Sequence, residues 1–345
     1  MSEGCIRTVL GDVDVGSVGD CLMHEHVLFD IVPPGTAGDR DAPIEPATRW
    51  QIDYRSNEHA GNAHQQDPAV ASEEVRAFVE AGGSLIVDQS VHGLARDPEG
   101  LRRVSRASGA HLVACAGTYT APYLDAATVA LDVDELTERF LREVTVGLDG
   151  TDVRAGLIGE IGCSWPLEEI ERRALSAAAR ASRLTGAAIS VHPGRHRAAA
   201  AEIVECLCRE GAEPARVVIC HMDRTYPDGR GVAEVLALGV NVEWDFFGIE
   251  QSHYWLGDVE LPTDRGRLRL IGELAESGFA ERLLLSQDIC TKTRLLRWGG
   301  HGYGHLLRNV RPLMRLLGFD AALVETLLGA NPRRLLALAP PTVVP

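Results

Sequence analysis

The stretch Cys21-Leu22-Met23-His24-Glu25-His26 decides how this chain is read. It is an apolar run that closes on a His-x-His pair, and in an extended strand side chains two apart point to the same side. Both imidazoles therefore converge at the C-terminal end of a strand, which is how a metal site begins. Four further apolar runs close in the same way: Gly156-Leu157-Ile158-Gly159-Glu160-Ile161-Gly162, Ile189-Ser190-Val191-His192, Val217-Val218-Ile219-Cys220-His221 and Leu284-Leu285-Ser286-Gln287-Asp288. His24, His26, Glu160, His192, His221 and Asp288 are thus the candidate metal ligands.

Around these runs the chain alternates strands with helices. Strands are predicted at 21–25, 84–88, 111–117, 156–161, 187–192, 217–221, 240–244 and 283–286. Helices are predicted from Ser72 to the Gly82-Gly83 pair and at 97–108, 133–146, 166–184, 197–211, 231–238 and 263–278. Eight strand–helix units predict an α/β fold of the (β/α)8 TIM-barrel type, whose active-site residues stand at the C-terminal ends of the strands. Ahead of the barrel, Ile6–Leu10 and Val13–Val15 predict a short N-terminal β-hairpin with its turn at Gly11-Asp12. The connection 27–72, rich in Pro, Gly, Asp and His, is too long for a simple link and is expected to be functional or mobile, with a lid role left open.

Composition bounds the function. The 345 residues, 45% of them hydrophobic, can bury one full core, so a single domain spanning 1–345 is expected. A formal net charge of −15 disfavours nucleic acid and anionic membrane as partners and leaves small molecules, with a homodimer open. No basic leader precedes an apolar stretch and no apolar run reaches membrane-spanning length, so the expected location is cytoplasmic. The eight cysteines contain no Cys-x-x-Cys pair and read as reduced, mostly buried thiols.

His24-x-His26, Gly159-Glu160-Ile161-Gly162-Cys163-Ser164, His192-Pro193-Gly194-Arg195, His221-Met222-Asp223-Arg224, and Asp288 followed by Gly299-Gly300-His301-Gly302-Tyr303 occur in this order along the chain. In these motifs the sequence resembles the phosphotriesterase family of the amidohydrolase superfamily, and most of all its phosphotriesterase-related branch. The resemblance runs from Ile6 to Asn331-Pro332. It implies a barrel holding two divalent ions, usually Zn2+, with His24, His26 and Asp288 on one ion, His192 and His221 on the other, and a residue of the fourth strand bridging them.

Some members of that family bridge with a carboxylated lysine. This chain has one lysine, Lys292, which follows the eighth strand, so a lysine cannot serve. Glu160 brings a carboxylate outright, with two oxygens able to span two cations. A pair of divalent ions lowers the pKa of water from about 15.7 to about 7 and can hold a bridging hydroxide while polarising the bond to be cut. Asp288 is then the catalytic proton acceptor. Glu25, between the two histidines, points to the other side of the strand and is read as structural.

The substrate is approached through charge. Arg195 and Arg224 each follow a ligand histidine by three residues, and Lys292 and Arg294 follow Asp288 closely, so these cations are candidates to hold an anionic tail. His301 and Tyr303 are candidates to line the same site. The related branch is similar to enzymes that cleave small N-acyl compounds such as N-acetyltaurine, which favours hydrolysis of a carboxylic amide or related ester. Lactonase or phospholactonase action is the alternative, with phosphotriester turnover at most promiscuous. A metal-containing barrel that binds a metabolite without turning it over is the non-enzymatic alternative.

Overall fold

The computed structural model describes residues 4–250, 254 and 256–340. Strands β1 (Cys5–Thr8) and β2 (Gly11–Asp14) form the antiparallel hairpin. Its turn falls at residues 9 and 10, earlier than Gly11-Asp12: Thr8 pairs with Gly11, and Leu10 N donates to Thr8 Oγ1 at 3.2 Å. Strand β3 (Asp20–Glu25) follows. In the long connection after it, β4 (Phe29–Asp30) pairs with β5 (His64–Gln65), and a helix spans Arg49–Tyr54.

The remaining strands are β6 (Gly83–Asp88), β7 (His111–Ala116), β8 (Leu157–Gly162), β9 (Ile189–His192), β10 (Val217–Ile219), β11 (Asn241–Trp244) and β12 (Leu283–Leu285). With β3 they form one eight-stranded parallel sheet in the order β3-β6-β7-β8-β9-β10-β11-β12, a (β/α)8 barrel. Helices including Pro98–Ser108, Val133–Thr145, Glu169–Thr185 and Ala199–Arg209 pack outside it. The first barrel helix begins at Pro68 rather than Ser72. Asp67 caps it by accepting from Ala69 N at 2.8 Å, and Ser72 lies within the helix, its hydroxyl donating back to Pro68 O at 2.6 Å. No helix among the described residues is long and apolar enough to cross a membrane.

Inside the barrel, Cys21, Met23, Leu85, Val87, Val113, Cys115, Leu157, Val218 and Leu284 form an apolar floor. Ile6 from the hairpin and Leu335 and Leu336 from the final helix plug it from below. The C-terminal ends of the strands lie above that floor, and two β-bulges turn side chains toward the space between them. Leu22 pairs with Ile86 but Glu25 pairs with Asp88, so β3 carries one extra residue, and His24 joins Met23 in facing the interior. In β8, Ile158 pairs with Ile189 and Ile161 with Val191, and the extra residue aims Glu160 inward. Gly159 makes this possible: its φ is +127°, and a Cβ there would lie 2.1 Å from Ser190 O.

Glu25 closes the seam between β3 and β12. Fully buried, its carboxylate accepts from Gln287 N and Ile289 N at 2.9 Å each and from Ser286 Oγ at 2.8 Å, while burial pushes its pKa up to about 8. Glu25→Ala would strand two buried backbone N–H groups at a cost of about 1–3 kcal/mol each. We expect chemical denaturation to show a loss of about 3 kcal/mol or more. A loss below about 1 kcal/mol would mean that the seam does not depend on this carboxylate.

Candidate metal centre and active-site cavity

The six strand-end residues meet at the C-terminal end of the barrel, each at most 9% exposed. Glu160 stands at the middle. Its Oε1 lies 3.5 Å from His26 Nε2, and its Oε2 lies 2.9 Å from His192 Nδ1, 3.4 Å from His221 Nε2 and 3.5 Å from His24 Nε2. Asp288 Oδ1 is 3.3 Å from His26 Nε2 and 3.8 Å from His24 Nε2. The donor atoms group as His24/His26/Glu160, Glu160/His192/His221 and His24/His221/Asp288, each set lying within 4.8 Å. Glu160 thus belongs to two sets that share no other residue.

The donor chemistry fits divalent cations. His24 Nε2, which faces Glu160 and Asp288, is buried without a hydrogen-bond partner among the described residues, an arrangement that coordination would satisfy. Burial lowers His192 to a pKa of about 3 against the pull of Glu160, and burial together with Arg224 lowers His221 to about 4, so both rings keep their lone pairs. Burial works against the charged carboxylates, yet the neighbouring histidines prevail. They hold Asp288 at about 2 and Glu160 well below its usual range. Burial also opposes a charge on His26, but Asp288 and Glu160 keep that ring up at about 9.

Two of the candidate ligands sit on strained backbone. His221 has φ +57° and Asp288 has φ +46°, conformations costing of order 1–3 kcal/mol each for a side chain of this kind. Asp245 restrains His221, accepting from its backbone N at 2.9 Å and facing its Nδ1 at 2.9 Å. Asp288 is held by its N–H donating to His24 O at 3.0 Å and by Arg294 Nη1 donating to its own carbonyl at 2.8 Å. Such partners fix ring orientation and ligand basicity. Ser90 Oγ does so for His26 Nδ1 at 3.1 Å, and Glu243 and Asp245 stand 3.7 and 3.6 Å from His24 Nδ1. Asp245 escaped the sequence reading although it directly follows β11, nearer its strand than Asp288 is to β12.

Above the ligands opens a cavity of about 310 Å³ lined by His192, His221, Asp288, Arg195, Arg224 and Arg294, among others. Tyr119, Tyr123 and Tyr254 stand on its walls, Phe246, Ile249 and Leu261 make an apolar side, and the 27–72 connection contributes Ile31, Pro33, Asp53, Tyr54 and Ser56. Three residues expected from the sequence to contact substrate do not line it. Lys292 Nζ lies 5.5 Å from the centre of the Trp298 ring, and its backbone N donates to Asn62 O. His301 packs against His305 with ring centres 4.8 Å apart, and the fully buried Tyr303 donates its hydroxyl to His26 O at 2.7 Å.

With this geometry in hand, known proteins can be compared. The sequence profile of the phosphotriesterase family matches residues 4–336. N-acetyltaurine hydrolase of Homo sapiens is 37% identical over 340 residues, 96% of this chain and 97% of that protein. A resiniferatoxin-binding protein from Rhodobacter sphaeroides is similar in structure, with a TM-score of 0.91 at 34% identity over 96% of this chain and 95% of that one. A variant phosphotriesterase-like lactonase from Deinococcus radiodurans matches with a TM-score of 0.76 at 28% identity, over 96% and 99% of the two chains. The chain belongs to the phosphotriesterase family of binuclear metal-dependent hydrolases.

Proposed function

We propose that this chain is a zinc-dependent hydrolase that cleaves a small N-acyl amide ending in an anion, of the N-acetyltaurine kind. One observation carries the reading: a carboxylate facing two imidazole sets lies at the base of a cavity lined by three arginines, in a chain of net charge −15. His24, His26 and Asp288 would hold one ion and His192 and His221 the other, with Glu160 between them, a nitrogen and oxygen donor set that suits zinc. Two ions held there would polarise the scissile carbonyl and bring the pKa of water toward neutrality.

The protein's own groups supply the rest. Asp288, ionised beside His26, takes the proton from the attacking water and returns it to the leaving amine nitrogen. The guanidiniums lining the cavity draw in and hold the anionic end of the substrate. Glu243 and Asp245 keep the imidazoles of His24 and His221 in place. Similarity to N-acetyltaurine hydrolase over 96% of the chain supports an amide with a sulfonate tail, and similarity to a lactonase supports lactone opening as the second reading.

The two readings separate in a steady-state comparison of N-acetyltaurine, the uncharged N-acetylethanolamine, a γ-lactone and a dialkyl phosphotriester on zinc-loaded protein. We expect kcat/KM for N-acetyltaurine to exceed that for N-acetylethanolamine by at least about 10-fold, the worth of one charge-assisted contact. Faster turnover of the lactone or the phosphotriester would overturn the amide reading.

A further inference from the structure

The three arginines lining the cavity are not equivalent. Arg195 is exposed and its Nε donates to Tyr254 Oη at 3.3 Å. Arg294 is half-buried and engaged with the carbonyl of Asp288. Arg224 alone is buried, at 3% exposure, on the single helical turn Met222–Thr225 that follows His221. Its Nη2 donates to Pro193 O at 2.8 Å and lies 3.1 Å from His192 Nε2. Its Nη1 is buried and has no hydrogen-bond partner among the described residues.

A guanidinium N–H left unpaired in the interior is costly, and an anion is the partner that most fully offsets the cost. The geometry also fixes where that anion would sit. His192 turns Nε2 toward Arg224 Nη2, at 3.1 Å, and Nδ1 toward Glu160 Oε2, at 2.9 Å, so one imidazole ring with a hydrogen-bond distance on each side separates the guanidinium from the carboxylate at the centre of the candidate ligand cluster.

We infer that Arg224 anchors the anionic tail of the substrate and, through its distance from the ligand cluster, limits the spacer between the amide nitrogen and the anion to one or two carbons. The inference rests on the amide reading above and narrows its substrate class to N-acyl derivatives of short amino carboxylates and amino sulfonates. An amide whose carbonyl lies over Glu160 and Asp288 spans that interval to the guanidinium with its nitrogen, one or two carbons and the anion itself. A third carbon exceeds that interval and leaves the anion to the solvated part of the cavity, where solvent weakens the contact.

Spacer length can be read on the wild-type zinc-loaded protein with N-acetylglycine, N-acetyl-β-alanine, N-acetyltaurine, N-acetyl-γ-aminobutyrate and N-acetylhomotaurine. We expect kcat/KM to fall by at least about 10-fold at the third carbon, for carboxylates and sulfonates alike. Arg224→Met should raise KM for the short-spacer substrates by about 10-fold to 100-fold and flatten the dependence on length. Arg224→Lys, which keeps the charge beside His192, should fall between, and it provides the comparison if the Met variant folds poorly or loses metal.

Calorimetry with ethanesulfonate reports on the anchor without turnover. Wild-type protein should bind it, and the Arg224 variants, checked for unchanged metal content, should bind it at least about 10-fold more weakly. Equal turnover across the length series, or equal ethanesulfonate binding by wild type and Arg224→Met, would overturn the inference. If no amide is hydrolysed the proposed function falls, while the ethanesulfonate comparison still decides whether Arg224 is an anion anchor.

Discussion

Glu160→Gln is expected to lower kcat/KM by more than about 100-fold and to remove about one metal ion per chain. Loss of partners that merely support a ligand typically costs 10-fold to 100-fold in metal affinity or activity, and under the proposed function Glu160 would be a ligand itself. The substitution keeps the volume and one oxygen but removes the charge that would balance two cations, and it turns an N–H toward either His26 or the His192/His221 pair. Metal analysis alongside kinetics would check this. Two ions per chain with turnover near wild type would place the bridge elsewhere.

Asp288→Asn should act differently. Asparagine tolerates left-handed backbone, so the φ of +46° and the Arg294 contact to the Asp288 carbonyl should be retained, and under the proposed function the substitution would remove chiefly a proton acceptor and one anionic ligand atom. With zinc in excess, kcat is expected to fall by about 100-fold to 10,000-fold, the range for losing a positioned general base, while KM changes by less than about 3-fold. A rise in KM with kcat preserved would move Asp288 from proton transfer to substrate binding.

How much of this architecture was legible depended on what period-two and period-3.6 patterns can carry. The eight strands appear within a few residues of the predicted ranges, because each is a buried apolar run bounded by turn residues. The bulges in β3 and β8 were not legible, since a single extra residue leaves the local pattern intact and shows only against the partner strand. The reading of His24 and His26 survived because the bulge does not disturb their own spacing. Glu25 was legible as facing away, but its bonds to Gln287 and Ile289 cross more than 260 positions of sequence and could not be.

Proximity in sequence misled at Lys292. The short helix Lys292–Arg294 sets Arg294 on the cavity and swings Lys292 to Trp298. Arg224 was readable as a cation near the mouth, whereas its burial and its unpaired nitrogen required coordinates. The 27–72 connection was legible as too long for a link. Its composition gave no sign of the β4–β5 pair or of the helix Arg49–Tyr54 beside the cavity.

The claim on which the whole account turns is that one carboxylate, Glu160, organises two metal ions. It is tested most directly by titrating metal-free protein with Zn2+ while following both bound metal and N-acetyltaurine hydrolysis. The account predicts that activity is completed only as the second equivalent binds, giving about two ions per chain at full turnover. Full activity at one equivalent, with no second ion bound, would contradict it.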